Sequence, residues 1–252
     1  MMHPLPAAFL TRPIAHRALH DRAAGRPENS RAAVRAAVAA GYGIEIDLQP
    51  SADGVPMVFH DYDLRRLTGV PGRLRGLTAA ELSEIPLLGG DEGIPTLAEV
   101  LAIVDGQVPL LIEIKDQDGA MGPDVGPLET ATARVLTGYA GPVAVMSFNP
   151  NAVLAFHLEA PGVPVGLTTS AYHADHWPLL PATVRAHLAG IPDFERVGAS
   201  FISHEAADLG SARVAELKAK GAAILCWTIR SPEAEADARK IAQNITFEGY
   251  AA

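Results

Sequence analysis

The sequence is poor in cysteine and in lysine, and it has no long hydrophobic run. Its single cysteine, Cys226, cannot form an internal disulfide, which excludes a secreted fold built on a disulfide framework. No apolar stretch approaches the roughly 18 residues that a membrane-crossing helix needs. The first residues lack the basic and apolar segments of a signal peptide. We therefore expect a cytoplasmic protein without stable membrane insertion.

Basic residues are also scarce. There are 20 Lys and Arg against 29 Asp and Glu, which gives a formal net charge of −9. Because no basic block occurs, this balance argues against nucleic acid or an anionic membrane surface as the main partner. Only four of the basic residues are lysines, and Lys115 is the only lysine before position 218.

The residues that are abundant are typical of an α/β protein. Hydrophobic residues make up 48% of the 252 positions, enough for one large core. Short apolar runs alternate with alanine-rich helical stretches, which is the pattern of a parallel sheet wrapped by helices. Eight runs are predicted strands: 13–18, 43–48, 109–115, 143–148, 164–169, 199–203, 222–229 and 244–249. The pattern predicts a (β/α)₈ TIM barrel, formed by a single domain over 1–252.

A ninth apolar run, 55–60, follows the second strand too closely for a parallel crossover. The intervening Asp53-Gly54 pair favours a hairpin turn. We therefore predict a β-hairpin extension after strand 2, in which the chain folds back antiparallel. With a turn centred near 52–53, residue 45 pairs roughly with residue 60, which places His60 beside Glu45.

Residues 61–94 exceed a normal connection between barrel elements. We interpret them as a small insertion over the barrel mouth, with one short helix near 78–84. Two interpretations of this insertion stay open. It is either a lid over the site or a segment that only packs against the barrel.

The clearest chemical signal lies on two predicted strands. Because side chains alternate along a strand, Glu45 and Asp47 share one face, and so do Glu113 and Lys115. If the apolar faces meet the helices, these four side chains point into the barrel near the end where barrel enzymes keep their active sites. One interpretation is an ionic network that only stabilises the core. The other is a metal site, because three carboxylates exceed one lysine; all-oxygen ligands favour Mg²⁺ or Ca²⁺ over zinc.

Two histidines are expected at the same rim. His16 and Arg17 end the first predicted strand, and the hairpin returns His60. Histidines that flank a metal can divide proton abstraction and proton donation between them. Arg17 and Lys115 offer hydrogen-bond donors to anionic oxygens, and the planar guanidinium suits phosphate. With a divalent cation and the three carboxylates, these groups leave one net positive charge, which one phosphodiester anion neutralises.

The order and spacing of these residues resemble the glycerophosphodiester phosphodiesterase family. The resemblance covers nearly the whole chain. It rests on the segments 16–17, 28–30, 41–47, 53–61, 64–69, 95–97, 113–115, 147–149 and 227–228. Each segment alone is weak evidence, but their joint order is specific.

The resemblance implies a TIM-barrel hydrolase of glycerol and lipid metabolism that converts glycerophosphodiesters to sn-glycerol 3-phosphate and an alcohol. It implies one divalent metal ion, Mg²⁺ or Ca²⁺, held by Glu45, Asp47 and Glu113. His16 and His60 would be the acid/base pair. In the mechanism usually proposed for the family, the glycerol 2-hydroxyl attacks phosphorus to give a cyclic phosphate, which water then opens.

The same resemblance places Arg17 and Lys115 on the phosphate and makes Trp227 and Phe148 walls of the substrate pocket. Either aromatic ring could instead be core filler. A related alternative activity is that of a lysophospholipase D, whose apolar slot only the leucines of 61–94 could supply. A barrel aldolase with Lys115 as a Schiff-base amine, and a binding protein that has lost catalysis, are further alternatives from other classes.

The chain departs from the usual family pattern at a few positions. Ala18 follows His-Arg where glycine is usual, and the last strand reads Ile245-Thr-Phe-Glu248-Gly where family members often show Ile-Thr-Asp. These departures remove no implied catalytic group, so they bear on substrate preference. The roles of four further residues stay open at this point: Glu28, His173, His176 and His204.

Overall fold

The computed structural model describes residues 3–252, and its centre is a closed barrel of eight parallel strands. Strand β1 pairs with both β2 and β9, which closes the ring, while β3 lies outside it, antiparallel to β2. The predicted (β/α)₈ TIM barrel is confirmed. The strands are β1 (Ile14–Ala15), β2 (Gly43–Pro50), β3 (Pro56–Val58), β4 (Leu110–Ile114), β5 (Val143–Ser147), β6 (Val165–Thr169), β7 (Phe201–Glu205), β8 (Ala223–Ile229) and β9 (Asn244–Phe247).

Helices surround the barrel, and several of them begin at capping residues that are visible in the sequence. Thr96 forms a capping box with Glu99, and the side chains of Asn149 and Ser231 accept hydrogen bonds from backbone N–H groups of the first helical turn. The helices are α1 (Ala8–Thr11), α2 (Arg31–Ala40), α3 (Arg65–Thr68), α4 (Ala79–Ser83), α5 (Leu97–Val104), α6 (Pro127–Leu136), α7 (Pro150–Glu159), α8 (Ala182–Ala189), α9 (Ala212–Ala219) and α10 (Pro232–Ala238). Within 3–252, no helix has both the length and the apolar character to cross a bilayer.

Apolar side chains fill two separate layers of the barrel. The outward residues of β2, such as Ile44 and Ile46, pack against the helices in the larger core. A second cluster, which includes Phe9, Leu111 and Phe201, fills the inside of the barrel at its N-terminal end. Because the interior is closed by apolar groups at that end, the inward polar groups of the strands are confined to the C-terminal end.

The hairpin after β2 is present, and its register differs by one residue from the approximate pairing that the turn position predicted. Leu48 pairs with Val58 and Gln49 with Met57, so continuing the register sets residue 61, not residue 60, opposite residue 45. The turn is longer than a tight two-residue turn, because the Ser51 N–H donates to the Val55 carbonyl and the Ser51 hydroxyl accepts from the Val55 N–H. Since β3 ends at Val58, His60 reaches the barrel mouth on the chain beyond the strand, not through the ladder.

The insertion 61–94 forms a small unit with its own core. Helices α3 and α4 lie within it, and α4 coincides with the short helix expected near 78–84. Its buried leucines pack with Met57 and Phe59 of the hairpin: Leu64, Leu74, Leu82 and Leu87. These four leucines therefore do not form an open apolar slot.

Candidate active site

Three buried carboxylates converge at the C-terminal end of the barrel. Asp47 of β2 and Glu113 of β4 are direct partners across the two strands, and Glu45 lies two residues before Asp47 on the same face. The exposed fraction is 2% for Glu45, 1% for Asp47 and 5% for Glu113. One oxygen of each lies within 4.8 Å of the others. This all-oxygen set suits a hard cation such as Mg²⁺ or Ca²⁺.

The electrostatics of the cluster show an excess of negative charge. Burial, together with the charges of Asp47 and Glu113, raises the pKa of Glu45 well above its usual range. Lys115 Nζ lies 2.8 Å from Asp47 Oδ1 and 2.6 Å from Glu113 Oε1, so one ammonium serves two carboxylates. Burial opposes ionisation of Asp47, but Lys115 and other nearby cationic groups outweigh it and hold the pKa of Asp47 far below its usual range. Glu45 is therefore the carboxyl group most affected by repulsion from the charges of Asp47 and Glu113, and a bound cation would relieve that repulsion.

His16 is held by a carboxylate from the last strand region. Its Nδ1 lies 2.6 Å from Glu248 Oε2, and the other carboxylate oxygen accepts from Arg230 Nε at 2.8 Å. Burial lowers the pKa of His16 even though Glu248 acts in the opposite direction. Among residues 3–252, His16 Nε2 has no hydrogen-bond partner, so this nitrogen is the one left for a ligand.

His60 is held in the same way by its neighbour in sequence. His60 Nδ1 lies 2.7 Å from Asp61 Oδ1, and Arg66 Nε donates to Asp61 Oδ2 at 2.6 Å. Arg66 also contacts Glu28 at 2.7 Å, and Glu28 in turn accepts from Arg17 at 2.8 Å. Glu28 therefore contacts two arginines and is not a member of the carboxylate cluster.

Arg17 contacts the carboxylate cluster from above. Its backbone N–H donates to Glu45 Oε2 at 2.8 Å, and its Nε lies 3.7 Å from Asp47 Oδ2. Arg17 has a positive φ of 50°, a backbone conformation that L-residues seldom adopt. Asn29 donates from Nδ2 to Asp47 Oδ2 at 2.9 Å, which orients that carboxylate from the start of α2.

All nine side chains that the sequence singled out meet in one cavity of about 180 Å³. Phe148 and Trp227 form its aromatic side, with ring centroids 5.5 Å apart in an edge-to-face arrangement. Trp227 Nε1 donates to the Ser203 carbonyl at 3.0 Å, which fixes the indole. The residues that line the cavity are His16, Arg17, Glu45, Asp47, His60, Glu113, Lys115, Met146, Phe148, Thr168, Ser203, Trp227, Thr228, Arg230 and Thr246.

Three other histidines lie elsewhere. His204 is buried, and its ring nitrogens contact Thr169 at 2.7 Å and Asp208 at 3.1 Å, so both nitrogens are engaged within the barrel and His204 does not line the cavity. His173 and His176 are exposed, and neither lines the cavity. Within 3–252, the carboxylate cluster is the only group of side chains with a metal-ligating arrangement.

Sequence reasoning missed Glu248 and Asp61 as partners of the two histidines. In the sequence, Glu248 stands out only as part of a segment that departs from the usual family pattern. His16 and Glu248 are 232 residues apart and meet only because β1 pairs with β9. The adjacency of Asp61 to His60 in the sequence was an available signal.

Together these features define a class of protein. It is a (β/α)₈ barrel that has three buried carboxylates arranged so that they could hold a metal ion, with cationic side chains beside them at the C-terminal ends of the strands. The sequence matches the model of the glycerophosphoryl diester phosphodiesterase family over residues 16–246. The chain belongs to that family, whose name describes phosphoric diester hydrolases, and the resemblance is confirmed.

Individual relatives agree with this membership. A glycerophosphodiester phosphodiesterase 1 from Bos taurus is 38% identical over 99 residues, which are 35% of this chain and 29% of the relative. The match to this mammalian protein thus spans less than a third of its length. A phosphodiesterase from Oleispira antarctica, solved in complex with the product sn-glycerol-3-phosphate, is 25% identical, with a TM-score of 0.76 over 96% of this chain and 94% of that one. A glycerophosphodiester phosphodiesterase from Thermotoga maritima shares the fold at 21% identity, with a TM-score of 0.70 over 98% and 95% of the two chains.

Proposed function

We propose that the protein hydrolyses glycerophosphodiesters to sn-glycerol 3-phosphate and an alcohol, using one divalent cation, Mg²⁺ or Ca²⁺. The observation that carries the proposal is one cavity that unites three carboxylates, two histidines and two cations. The Oleispira relative, which was solved with sn-glycerol-3-phosphate as its product, supports the same substrate class. The acidic net charge and lone cysteine support a cytoplasmic location as part of this proposal.

The two cationic side chains of the cavity are suited to binding the phosphate. Arg17 and Lys115 both line the cavity and both contact Asp47, so an anion that enters meets them beside the carboxylates. A cation held by Glu45, Asp47 and Glu113 would supply polarisation of a phosphoryl oxygen. Arg17 offers a planar fork that matches two phosphate oxygens, and Lys115 acts as a point charge.

The two histidines divide the proton transfers in this proposal. Because burial lowers its pKa, His16 is neutral near pH 7 and can accept the proton of the glycerol 2-hydroxyl as that oxygen attacks phosphorus. His60 gives a proton to the departing alkoxide as the phosphorus–oxygen bond breaks. Water then opens the cyclic phosphate, with the two histidines in exchanged roles.

The structure disfavours the competing activities. A lysophospholipase D needs an apolar slot, but four of the insertion's leucines, Leu64, Leu74, Leu82 and Leu87, are buried in its core, and only Leu88 among the leucines of 61–94 is exposed. A Schiff-base aldolase needs a neutral amine. Burial acts against charge on Lys115, but Asp47 and Glu113 outweigh it and raise its pKa, so the amine stays protonated.

A substrate panel tests the proposal. Purified protein should cleave glycerophosphocholine with added Mg²⁺ or Ca²⁺, lose activity in EDTA, and act poorly on lysophosphatidylcholine. His60→Ala should lower kcat by at least about 100-fold, in keeping with the usual contribution of an acid/base group. Glu45→Ala should lower kcat by a similar factor, because it removes a ligand of the cation that would polarise the phosphoryl oxygen. Exposed Arg134→Ala is the matched control. Cleavage of only the lipid, or unchanged turnover in both site variants, would contradict the proposal.

A further inference from the structure

A second and larger cavity lies beside the candidate active site. It measures about 460 Å³ and is bounded by the end of β2, the insertion and the loop after β4. Gln49, Tyr62 and Gln117 line it, and none of its lining residues belongs to the catalytic cavity. The proposed roles of the catalytic residues make no use of this space.

The second cavity is lined by chain segments that continue directly from the segments lining the catalytic cavity. Gln49, Tyr62 and Gln117 each stand two positions after a residue of the catalytic cavity, namely Asp47, His60 and Lys115. Along β2, residues two apart face the same side and are separated by roughly 6.6 Å. The second cavity therefore begins one step above the catalytic level.

Hydrogen bonds connect the two levels directly. Gln49 Nε2 donates to the His60 carbonyl at 3.2 Å, and Gln117 Nε2 donates to the Lys115 carbonyl at 2.6 Å. Gln117 also donates to Gln49 Oε1 at 3.3 Å, so the two amides form one wall. The Tyr62 hydroxyl donates to the Asp116 carbonyl at 2.5 Å, which joins the insertion to the loop after β4.

The volumes of the two cavities indicate which part of a phosphodiester each one can hold. At about 180 Å³ the catalytic cavity is smaller than the roughly 300–1,000 Å³ of common ligand sites, whereas the upper cavity falls within that range. The lower space suits a phosphate with one small alcohol. The second alcohol of the diester must extend out of the catalytic cavity, and the upper cavity is the neighbouring space that can receive it.

We infer that the upper cavity binds the alcohol that departs, and that it selects an uncharged polyol over a quaternary ammonium alcohol. This inference rests on the proposed function. Within 3–252, Arg73 and Arg75 have no ion-pair partner, and both line the cavity. Two carboxylates, Asp63 and Asp118, line it as well.

The chemistry of this lining matches hydroxyl groups. Each aspartate accepts one local backbone N–H at 2.8 Å. Asp118 also lies within hydrogen-bonding reach of the Asp116 carboxyl, so Asp63 is the carboxylate with an oxygen left for a ligand O–H. The guanidinium groups supply donors, and vicinal hydroxyls can use donors and acceptors at once. The two positive and two negative charges balance. A quaternary ammonium group prefers aromatic faces, and Tyr62 is the single aromatic residue of the lining.

The test compares leaving groups at a constant glycerol phosphate half. The kcat/KM for glycerophosphoglycerol and glycerophosphoinositol should exceed that for glycerophosphocholine by at least tenfold. Arg73→Ala and Arg75→Ala should each reduce that ratio severalfold, and the double variant should reduce it by about tenfold. Arg134→Ala, an exposed arginine on α6, is the matched control and should preserve the ratio.

The outcomes separate this inference from the function beneath it. If every diester is cleaved but the ratio is near one, or the double variant keeps the ratio of the unmodified protein, the inference about the upper cavity is overturned and the proposed function stands. If no glycerophosphodiester is cleaved, both fail. A preference for polyols that is lost in the double variant and kept in Arg134→Ala supports the inference.

Discussion

Replacing Glu248 by glutamine tests whether the carboxylate behind His16 serves catalysis. Glu248→Gln keeps the size and shape of the side chain but removes its charge. The contact with His16 Nδ1 is short, 2.6 Å, and both side chains are largely buried, at 16% and 22% exposure. Arg230 holds the other oxygen at 2.8 Å, so the carboxylate is positioned from both sides.

The size of the effect follows from the strength of this contact. A hydrogen bond to a charged group contributes about 1.5–3 kcal/mol. At about 1.4 kcal/mol for each factor of ten, its loss should lower kcat/KM on the order of 10- to 100-fold. Glu248 supports the protonated form of His16, so its removal lowers the pKa of His16 further. A base that must be neutral then becomes available at lower pH, and the acidic limb of the rate profile should shift to lower pH.

The assay is kcat/KM for glycerophosphocholine as a function of pH. Glu248→Asp keeps the charge and should recover part of the rate. Glu233→Gln, an exposed carboxylate in the first turn of α10, is the control for loss of a negative charge. A loss below threefold in Glu248→Gln, or an acidic limb that does not move, would refute the assigned role and leave a merely structural contact.

Three further predictions concern the carboxylate cluster and the cysteine. Mg²⁺ or Ca²⁺ at about 100 times its Kd should stabilise the fold by about 2.7 kcal/mol, a rise of roughly 5–10 °C in Tm by calorimetry; Asp47→Asn should abolish the rise. Without metal, the raised pKa of Glu45 means that the folded state binds more protons than the unfolded state above pH 4.5, so the free energy of unfolding falls as pH rises. Compared with the unmodified protein, Glu45→Gln should therefore be more stable at pH 8 and should lose that advantage near pH 4. Burial raises the pKa of Cys226 to about 12, so a thiol reagent at pH 8 should modify it only after unfolding, and rapid reaction of the folded protein would contradict this.

Much of the site could be predicted because strand geometry has a period of two. Once β2 and β4 were placed, alternation alone assigned Glu45, Asp47, Glu113 and Lys115 to the barrel interior. The structure confirms the packing behind that assignment, since Ile44 and Ile46 lie in the outer core. The hairpin register escaped prediction because it depends on how Ser51 closes the turn. A one-residue slip would exchange the two faces of the strand, but the run 55–59 is apolar at every position and has no alternation that could reveal it.

Contacts that depend on closure of the ring could not be predicted. Glu248 reaches His16 only after β9 has paired with β1, and no local pattern encodes that distance. The network from Asp61 through Arg66 to Glu28 likewise requires the insertion to fold over the rim. The upper cavity depends on the same placement, because Arg73 and Arg75 come from the insertion while Gln49 and Gln117 come from the barrel.

Lys115, the isolated lysine of the first 217 residues, offers a direct test of how the cluster is balanced. Lys115→Met keeps an apolar stem of similar length and removes the ammonium between Asp47 and Glu113. Loss of one partner from a buried ion pair costs about 3–5 kcal/mol. The lower end applies here, because Lys115 is 15% exposed and its carboxylates can take up a proton. About 3 kcal/mol corresponds to a fall of roughly 6–12 °C in the Tm of the metal-free protein.

Added Mg²⁺ or Ca²⁺ should reverse much of that fall, because a cation in the cluster replaces the missing positive charge. Lys240→Met is the matched control: its side chain is 74% exposed and contacts Asp237 on the surface, so its Tm should stay within about 2 °C of the unmodified protein. Calorimetry of the two variants, with EDTA and with metal, decides the question. If Lys115→Met loses no more stability than Lys240→Met, or if metal fails to restore it, the three carboxylates are not held together by charge balance, and the cluster would not act as a cation site.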